Sequence, residues 1–191
     1  MSELNDQWIE SHSPIDAKKL HALGVVNFHW NTADIGLKLL HVVLDGQTVR
    51  EGWASVHDQR DKTLCRNIEK IVSAGAYEQT EREAVLHGIE LYDICRENRN
   101  QLSHFLPSGF VGTDLARLKG ADFDPQPFPD SLDDVRRVAT DIAALLDYLS
   151  GLLNHFVAKN LYRWNPTEPP PLPDRLPLPT RLWSKPIPPT R

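Results

Sequence analysis

Leu132, Val135, Val138, Ile142, Leu145, Leu149, Leu152 and Phe156 recur at steps of three and four residues without interruption. Only an α-helix turns residues spaced this way onto one face, and a stripe so long must be buried against other helices. Asp130-Ser131 stands where such a helix needs a cap. The same test places a first helix from Ser13-Pro14, with proline at its first position, to Asp45-Gly46, along the stripe Leu20, Leu23, Val26, Trp30, Leu37, Leu40 and Leu44. Gly24 and Gly36 each cost about 1 kcal/mol relative to alanine, so a bend is expected at one of them. A short helix is expected around Val49 to Val56, and another from Asp61 to Ala74, which Gly75 ends. Thr80-Glu81-Arg82-Glu83 has the form of a capping box, so a third long helix starts there; it runs to about His104 or Phe105, where Pro107 and Gly109 stop it. Leu106 to Pro129 reads as a long connection. No stretch alternates with the period of a half-buried strand. The expected fold is all-α, a four- to five-helix up-and-down bundle.

Composition sets the organisation. Ten of the fifteen prolines fall among the last 27 residues, which excludes a helix there. The chain therefore divides into an N-terminal tail (1–13), a helical bundle (14–164) and a Pro-rich tail (165–191). The tail is expected to be extended or disordered with polyproline II character; the competing expectation is a partner-docking strip or a sleeve lying back on the bundle. It carries four basic and two acidic residues within a net charge of −5, so a slightly basic tail faces a body of −7. An acidic body argues against a constitutive polyanion binder and confines any nucleic-acid contact to one place. Cys65 and Cys95, with no secretory signal ahead of them, read as reduced thiols of a cytoplasmic protein without a disulfide. No apolar run approaches the ~20 residues that cross a bilayer.

The chemistry-bearing residues lie late in the third long helix. Val85, Ile89 and Tyr92 form an apolar seam, and the same steps then land on Arg96, Arg99 and Ser103, flanked by Asn100 and His104. Burying such groups unpaired costs several kcal/mol, so they should face a wet cleft, a partner chain or an anion. The alternative is a buried face that rotates onto Leu91, Ile94, Cys95 and Leu102, leaving Arg and His in solvent. Arginine clamps phosphate and histidine moves protons near neutral pH. Asn100 and His104 are neighbours at i and i+4, which lets the amide orient the imidazole. Asp93 and Glu97 are the carboxylates placed to pair with Arg96 or Arg99, and Asp34 is a candidate for the same cleft. Arg82 with His87 repeats the Arg-to-His spacing but starts in the capping turn. Eight histidines supply no His-x-x-x-His or Glu-x-x-His pair, so neither a metal nor a cofactor is expected, and His29 beside Trp30 reads as a core-edge residue.

The Arg99-Asn100-Gln101-Leu102-Ser103-His104 stretch resembles the R-x4-H signature of the HEPN domain superfamily. The long first helix with Leu23-Gly24 and Trp30, the two intermediate helices, the motif closing the third long helix and the final amphipathic helix extend that likeness over roughly residues 14 to 160. The resemblance implies metal-independent RNA cleavage by 2′-OH attack, of toxin, defence or RNA-processing type. It implies Arg99 and His104 as the catalytic pair with Asn100 as polar companion; Arg96 and Ser103 are the adjoining substrate-binding candidates. It also implies a homodimer through the third long helix, and a nucleotidyltransferase antitoxin as a partner of the toxin type. The alternative is a non-catalytic helical module that binds a partner protein or a nucleotide.

Overall fold

The computed structural model describes residues 15–103, 116–119, 124–127, 131–160 and 168–182. Five helices carry the fold: α1 (Ala17–Leu44), α2 (Val49–Val56), α3 (Asp61–Ala74), α4 (Gln79–Ser103) and α5 (Leu132–Asn160). The protein is an all-α bundle. A short antiparallel ladder of β1 (Ala116–Lys119) with β2 (Asp124–Pro127), in register Ala116 to Pro127 and Lys119 to Asp124, lies within the expected connection. Four residues are too few to show a period of two, and the prolines of β2 suit only an edge; the sequence therefore gave no strand signal there.

Four of the five helices begin where a side chain satisfies free amides; α3 starts after Arg60 without a side-chain cap. Asp16 caps α1 by accepting from the Lys18 amide at 3.0 Å. The start at Ser13-Pro14 is thus replaced by Asp16, and residues 13 and 14 lie outside the described residues. Gly46, at φ +71°, supplies the left-handed residue just past the α1 C-cap Asp45. Glu51 accepts from the Thr48 amide and hydroxyl at 3.1 and 2.7 Å to open α2. Ser131 and Asp134 form the box that opens α5. The box read at Thr80 and Glu83 is corrected: α4 starts at Gln79, and Glu81 accepts from the Glu78 amide at 2.9 Å. Glu81 is drawn inward by partners on α5, described below, and takes the closing role with it.

The three long helices alternate in direction. His29 on α1 meets the Ala139 carbonyl of α5, Gly36 packs on Leu149, and Asn160 donates to the Val43 carbonyl, so α1 and α5 run parallel. Between them α4 runs the other way: Tyr92 stacks on Trp30 with ring centres 4.8 Å apart, while Tyr77, ahead of its start, donates to the Leu44 carbonyl. Tyr148 of α5 donates to the Ala84 carbonyl of α4. The buried stripe of α1 is Ala22, Val26, Trp30, Ala33, Leu37, Leu40 and Leu44; Leu20 and Leu23 are only half-buried. Neither Gly24 nor Gly36 interrupts α1. Packing along α5 outweighs the glycine propensity; a Cβ at Gly36 would stand 3.6 Å from Leu149 Cδ1, in ordinary contact.

Residues 168–182 contain no helix or strand and lie on the bundle along α4 and α5, with Leu172, Leu176 and Leu182 packed against the core. Of the two expectations for the tail, the sleeve is the one this segment follows. Gly88 marks a tight α4–α5 contact: a Cβ there would stand 3.2 Å from Leu152 Cδ1 and 3.3 Å from Tyr148 Cε1. Gly88→Val should therefore destabilise the fold by about 1–3 kcal/mol, read as a lower urea midpoint with an unchanged slope.

Candidate functional site

The last two turns of α4 hold the residues singled out by the sequence. The seam does continue from Val85, Ile89 and Tyr92 onto Arg96, which is buried. Its guanidinium pairs with Asp93 through Nη2, and its Nε has no partner among the described residues. Arg99 is half-buried; its Nη1 donates to Asn100 Oδ1 at 3.2 Å, and its Nε is likewise buried without a partner. Gln101 Oε1 is a third orphan in the same stretch. Buried polar atoms are nearly always satisfied, so three orphans within six residues mark a place where water or a ligand is owed. Ser103 is exposed. His104, and the helix stop at Pro107 and Gly109, lie outside the described residues.

Arg99 differs from its neighbours in having no carboxylate among the described residues. Arg96 has Asp93, Arg137 has Asp134 and Arg181 has Glu97. Asp34 is held by Tyr92 and Lys38 at 3.1 and 2.8 Å and is not free for the cleft. Burial pushes the Tyr92 phenol well above its ordinary value, so it stays a donor to Asp34. The rival pair separates: Arg82 donates to the Tyr77 and Gly75 carbonyls of the α3–α4 connection, whereas His87 faces the Leu176 carbonyl on the other side.

The rotated flank is buried too. Leu91, Ile94, Cys95 and Leu102 are all inside, so α4 is enclosed on both flanks rather than on one. Residues 168–182 complete the enclosure. Asn98, with 0% exposure, donates to the Thr180 carbonyl at 3.0 Å and accepts from the Leu182 amide at 2.9 Å. His87 meets the Leu176 carbonyl at 2.9 Å, and His155 the Pro170 carbonyl at 2.6 Å. Sequence reasoning missed Asn98 because an amide one residue from Arg99 reads as part of the polar cluster. The signal was its step from Leu91 and Ile94, which places it on the apolar flank.

The second missed group is Glu81, His155 and Lys159. Glu81 Oε1 receives His155 Nε2 at 3.0 Å and Lys159 Nζ at 2.5 Å. Both ring nitrogens of His155 face oxygen atoms, the Pro170 carbonyl and the Glu81 carboxylate. Burial would raise the Glu81 carboxyl, but the hydrogen bonds from His155, Lys159 and the Glu78 amide outweigh it and hold the group below its ordinary value. The cluster ties α4, α5 and the tail together; Glu81 at 3% and His155 at 7% exposure are closed to solvent, and the cluster reaches the surface through the Lys159 side chain, 31% exposed.

Among the described residues no three His, Cys, Asp or Glu side chains gather in a way that holds a metal ion, and no helix is long and apolar enough to cross a membrane. Cys65 and Cys95 are free and buried, and burial pushes both thiols up to about 12. An open groove between α3 and α4, lined by Cys65, Arg66, Leu86, Asp93, Arg96 and Arg181, carries charges of both signs and no net preference. No family model, no curated protein and no solved structure matches this chain.

The sign of the Glu81 effect is fixed by its direction. A carboxyl lowered in the folded state contributes stability that is fully present above the model-peptide value of 4.5 and is lost as the pH falls through the folded value. Urea unfolding of the wild type should weaken through that acid window. Glu81→Gln should flatten the slope there and cost about 3 kcal/mol at pH 7 by leaving His155 and Lys159 without their anion.

Proposed function

We propose that the chain is a HEPN-like, metal-independent endoribonuclease that uses Arg99, Asn100 and His104. The observation that carries the reading is Arg99: a half-buried guanidinium with an unpartnered Nε and no carboxylate among the described residues, whereas Arg96, Arg137 and Arg181 each have one. Such a cation is complementary to an anion of the size and geometry of a phosphodiester. In the proposed reaction a histidine removes the 2′-OH proton, the oxygen attacks the adjacent phosphorus, and the 5′ oxygen leaves as it gains a proton. Products are a 2′,3′-cyclic phosphate and a 5′-hydroxyl. Arg99 would stabilise the charge that grows on the phosphoryl oxygens, with Asn100 fixing the guanidinium through the bond it already accepts.

One chain offers one histidine in the motif, and the reaction needs both an acid and a base. A two-fold dimer would supply the second from its partner. The exposed ridge of α4 limits where the two copies can meet. Glu83 and Glu90 are exposed along it, so two such ridges laid side by side would set like charges against each other there. The proposed contact is therefore confined to the last turn, around Arg99, Asn100 and Ser103. The same acidity keeps RNA off the upstream helix. Of the residues adjoining the pair, Ser103 is open to substrate, whereas Arg96 is committed to Asp93 and would act by shaping the local field.

A second reading, a helical binding module without catalysis, draws on the tail-covered surface of α4 and α5 and on the acidic ridge. The readings separate in one experiment. Purified protein is incubated with a pool of single-stranded RNA in EDTA, and product ends are mapped. The wild type should leave 2′,3′-cyclic phosphates. Arg99→Ala and His104→Ala should each lower the rate at least about 100-fold with unchanged helical circular dichroism. Cleavage that survives His104→Ala or that stops on chelation overturns this mechanism, and a wild type that never cleaves overturns the ribonuclease in favour of the binding module.

A further inference from the structure

Because α1 and α5 run parallel, their first turns lie side by side at one end of the bundle. Further along, the seam between them is filled by leucines, among them Leu37 and Leu149. At the start the facing side chains are small, Ala22 on α1 and Ala139 on α5, too short to close the roughly 8–10 Å between two packed helix axes. The result is an open cavity of about 540 Å³, within the size range of small-molecule sites. Val25 joins the two alanines in its apolar floor, and Lys18, His21 and Arg136 stand around it.

Three basic side chains around one cavity run against the sign of a chain whose net charge is −5, and among the described residues no carboxylate lines it. The groove between α3 and α4 differs in mixing acidic and basic side chains along its walls. The side chains of Lys18 and His21 have no hydrogen-bond or ion-pair partner among the described residues; Asp16 takes the Lys18 backbone amide instead. Arg136 is held loosely, its Nη1 3.6 Å from Asp133, a carboxylate 92% exposed. A point charge, a planar fork of donors and an imidazole facing one hollow are the complement of a phosphate group. A single uncovered ring indicates what that phosphate is attached to. Val25 and Phe28 follow His21 at four and seven residues and so continue its face of α1. Phe28 is 71% exposed, more than any other large hydrophobic residue among those described, and stands about 10 Å along the helix from His21. An aromatic side chain left open beside a basic pocket is a surface on which a flat ring stacks.

We propose that this end of α1 and α5 binds a phosphomonoester that carries a planar ring, with the phosphate among Lys18, His21 and Arg136 and the ring over Val25 and Phe28. That is the chemistry of a nucleoside 5′-monophosphate, free or at the 5′ end of a nucleic-acid strand. Arg99 does not line this cavity, and the proposal does not rest on the ribonuclease reading.

Calorimetric titration of the full-length protein tests it. Adenosine 5′-monophosphate should bind at least about 10-fold more tightly than adenosine or inorganic phosphate, since each of these keeps only half of the contacts. Lys18→Ala with Arg136→Ala should weaken that binding about 10-fold or more, and Phe28→Ala about 5–10-fold. Helical circular dichroism should stay unchanged, because all three side chains are exposed. Should the double variant fail to fold, Phe28→Ala and the comparison of the three probes on the wild type decide the matter. The two sources of the phosphate separate with a short oligodeoxynucleotide carrying either a 5′-phosphate or a 5′-hydroxyl. It has no 2′-OH, so the proposed ribonuclease cannot cut it and a failure of that reading leaves this test intact. A phosphorylated strand that binds more tightly than the free nucleotide, with the hydroxyl strand left unbound, assigns the site to strand ends; a free nucleotide that binds as tightly or better assigns it to nucleotides. No binding of either, binding that both variants leave unchanged, or inorganic phosphate bound as tightly as the nucleotide overturns the proposal.

Discussion

The amide of Asn98 is the contact on which the arrangement turns. It sits with no exposed surface on the flank of α4 that Leu91, Ile94 and Leu102 otherwise make apolar. An amide placed there without partners would cost several kcal/mol, enough to reject the whole flank from the core. Thr180 and Leu182 supply the acceptor and the donor it needs, so the proline-rich segment is part of the core's polar accounting and not an appendage. With the segment in place α4 is enclosed by α1, α3, α5 and the segment itself. A helix held that firmly presents its last turn in one orientation, which is the condition a site built on that turn requires.

Charge distributes itself along the same helix in a way that isolates its end. Asp93 is taken by Arg96, and Glu97 by Arg181 of the segment. The two carboxylates nearest the end of α4 are thereby matched, and the acidity of the ridge is left upstream at Glu83 and Glu90. Among the described residues the slightly basic tail leans on the acidic body through the Arg181–Glu97 pair and several backbone anchors.

The helices were legible because their stripes are long and their caps are local: α2, α3 and the α5 start at Ser131 all follow from residues within one turn of the boundary. The failures share a cause, a partner distant in sequence. Glu81 reads as surface helix until His155 and Lys159, more than seventy residues away, draw it inward. Asn98 reads as part of a polar cluster until Thr180 meets it. A proline-rich tail reads as solvent-borne because proline forbids regular structure, yet proline does not forbid docking; a carbonyl row and three leucines were enough. At the candidate site the sequence correctly singled out a seam that turns polar at Arg96. In the linear chain Asp93 and Glu97 are open to either arginine; helix spacing decides it, because Asp93 stands three residues before Arg96 and six before Arg99.

Arg99's isolation has a cause that is local after all. Its helical neighbours at three and four residues on either side are Cys95, Arg96, Leu102 and Ser103, none of them acidic. The one charged neighbour is another cation, and its own charge is balanced by Asp93. The end of a helix exposes unpaired carbonyls and a partial negative charge, which attracts a guanidinium but repels a phosphate. An anion held at this end must therefore be held by side chains alone, in contrast to the amide cradles at helix starts. A single arginine working against the helix dipole is a weak clamp. In the proposed dimer two such arginines would meet two helix ends as well, so the second copy's contribution is its acid–base group and a second set of donors rather than relief from the dipole.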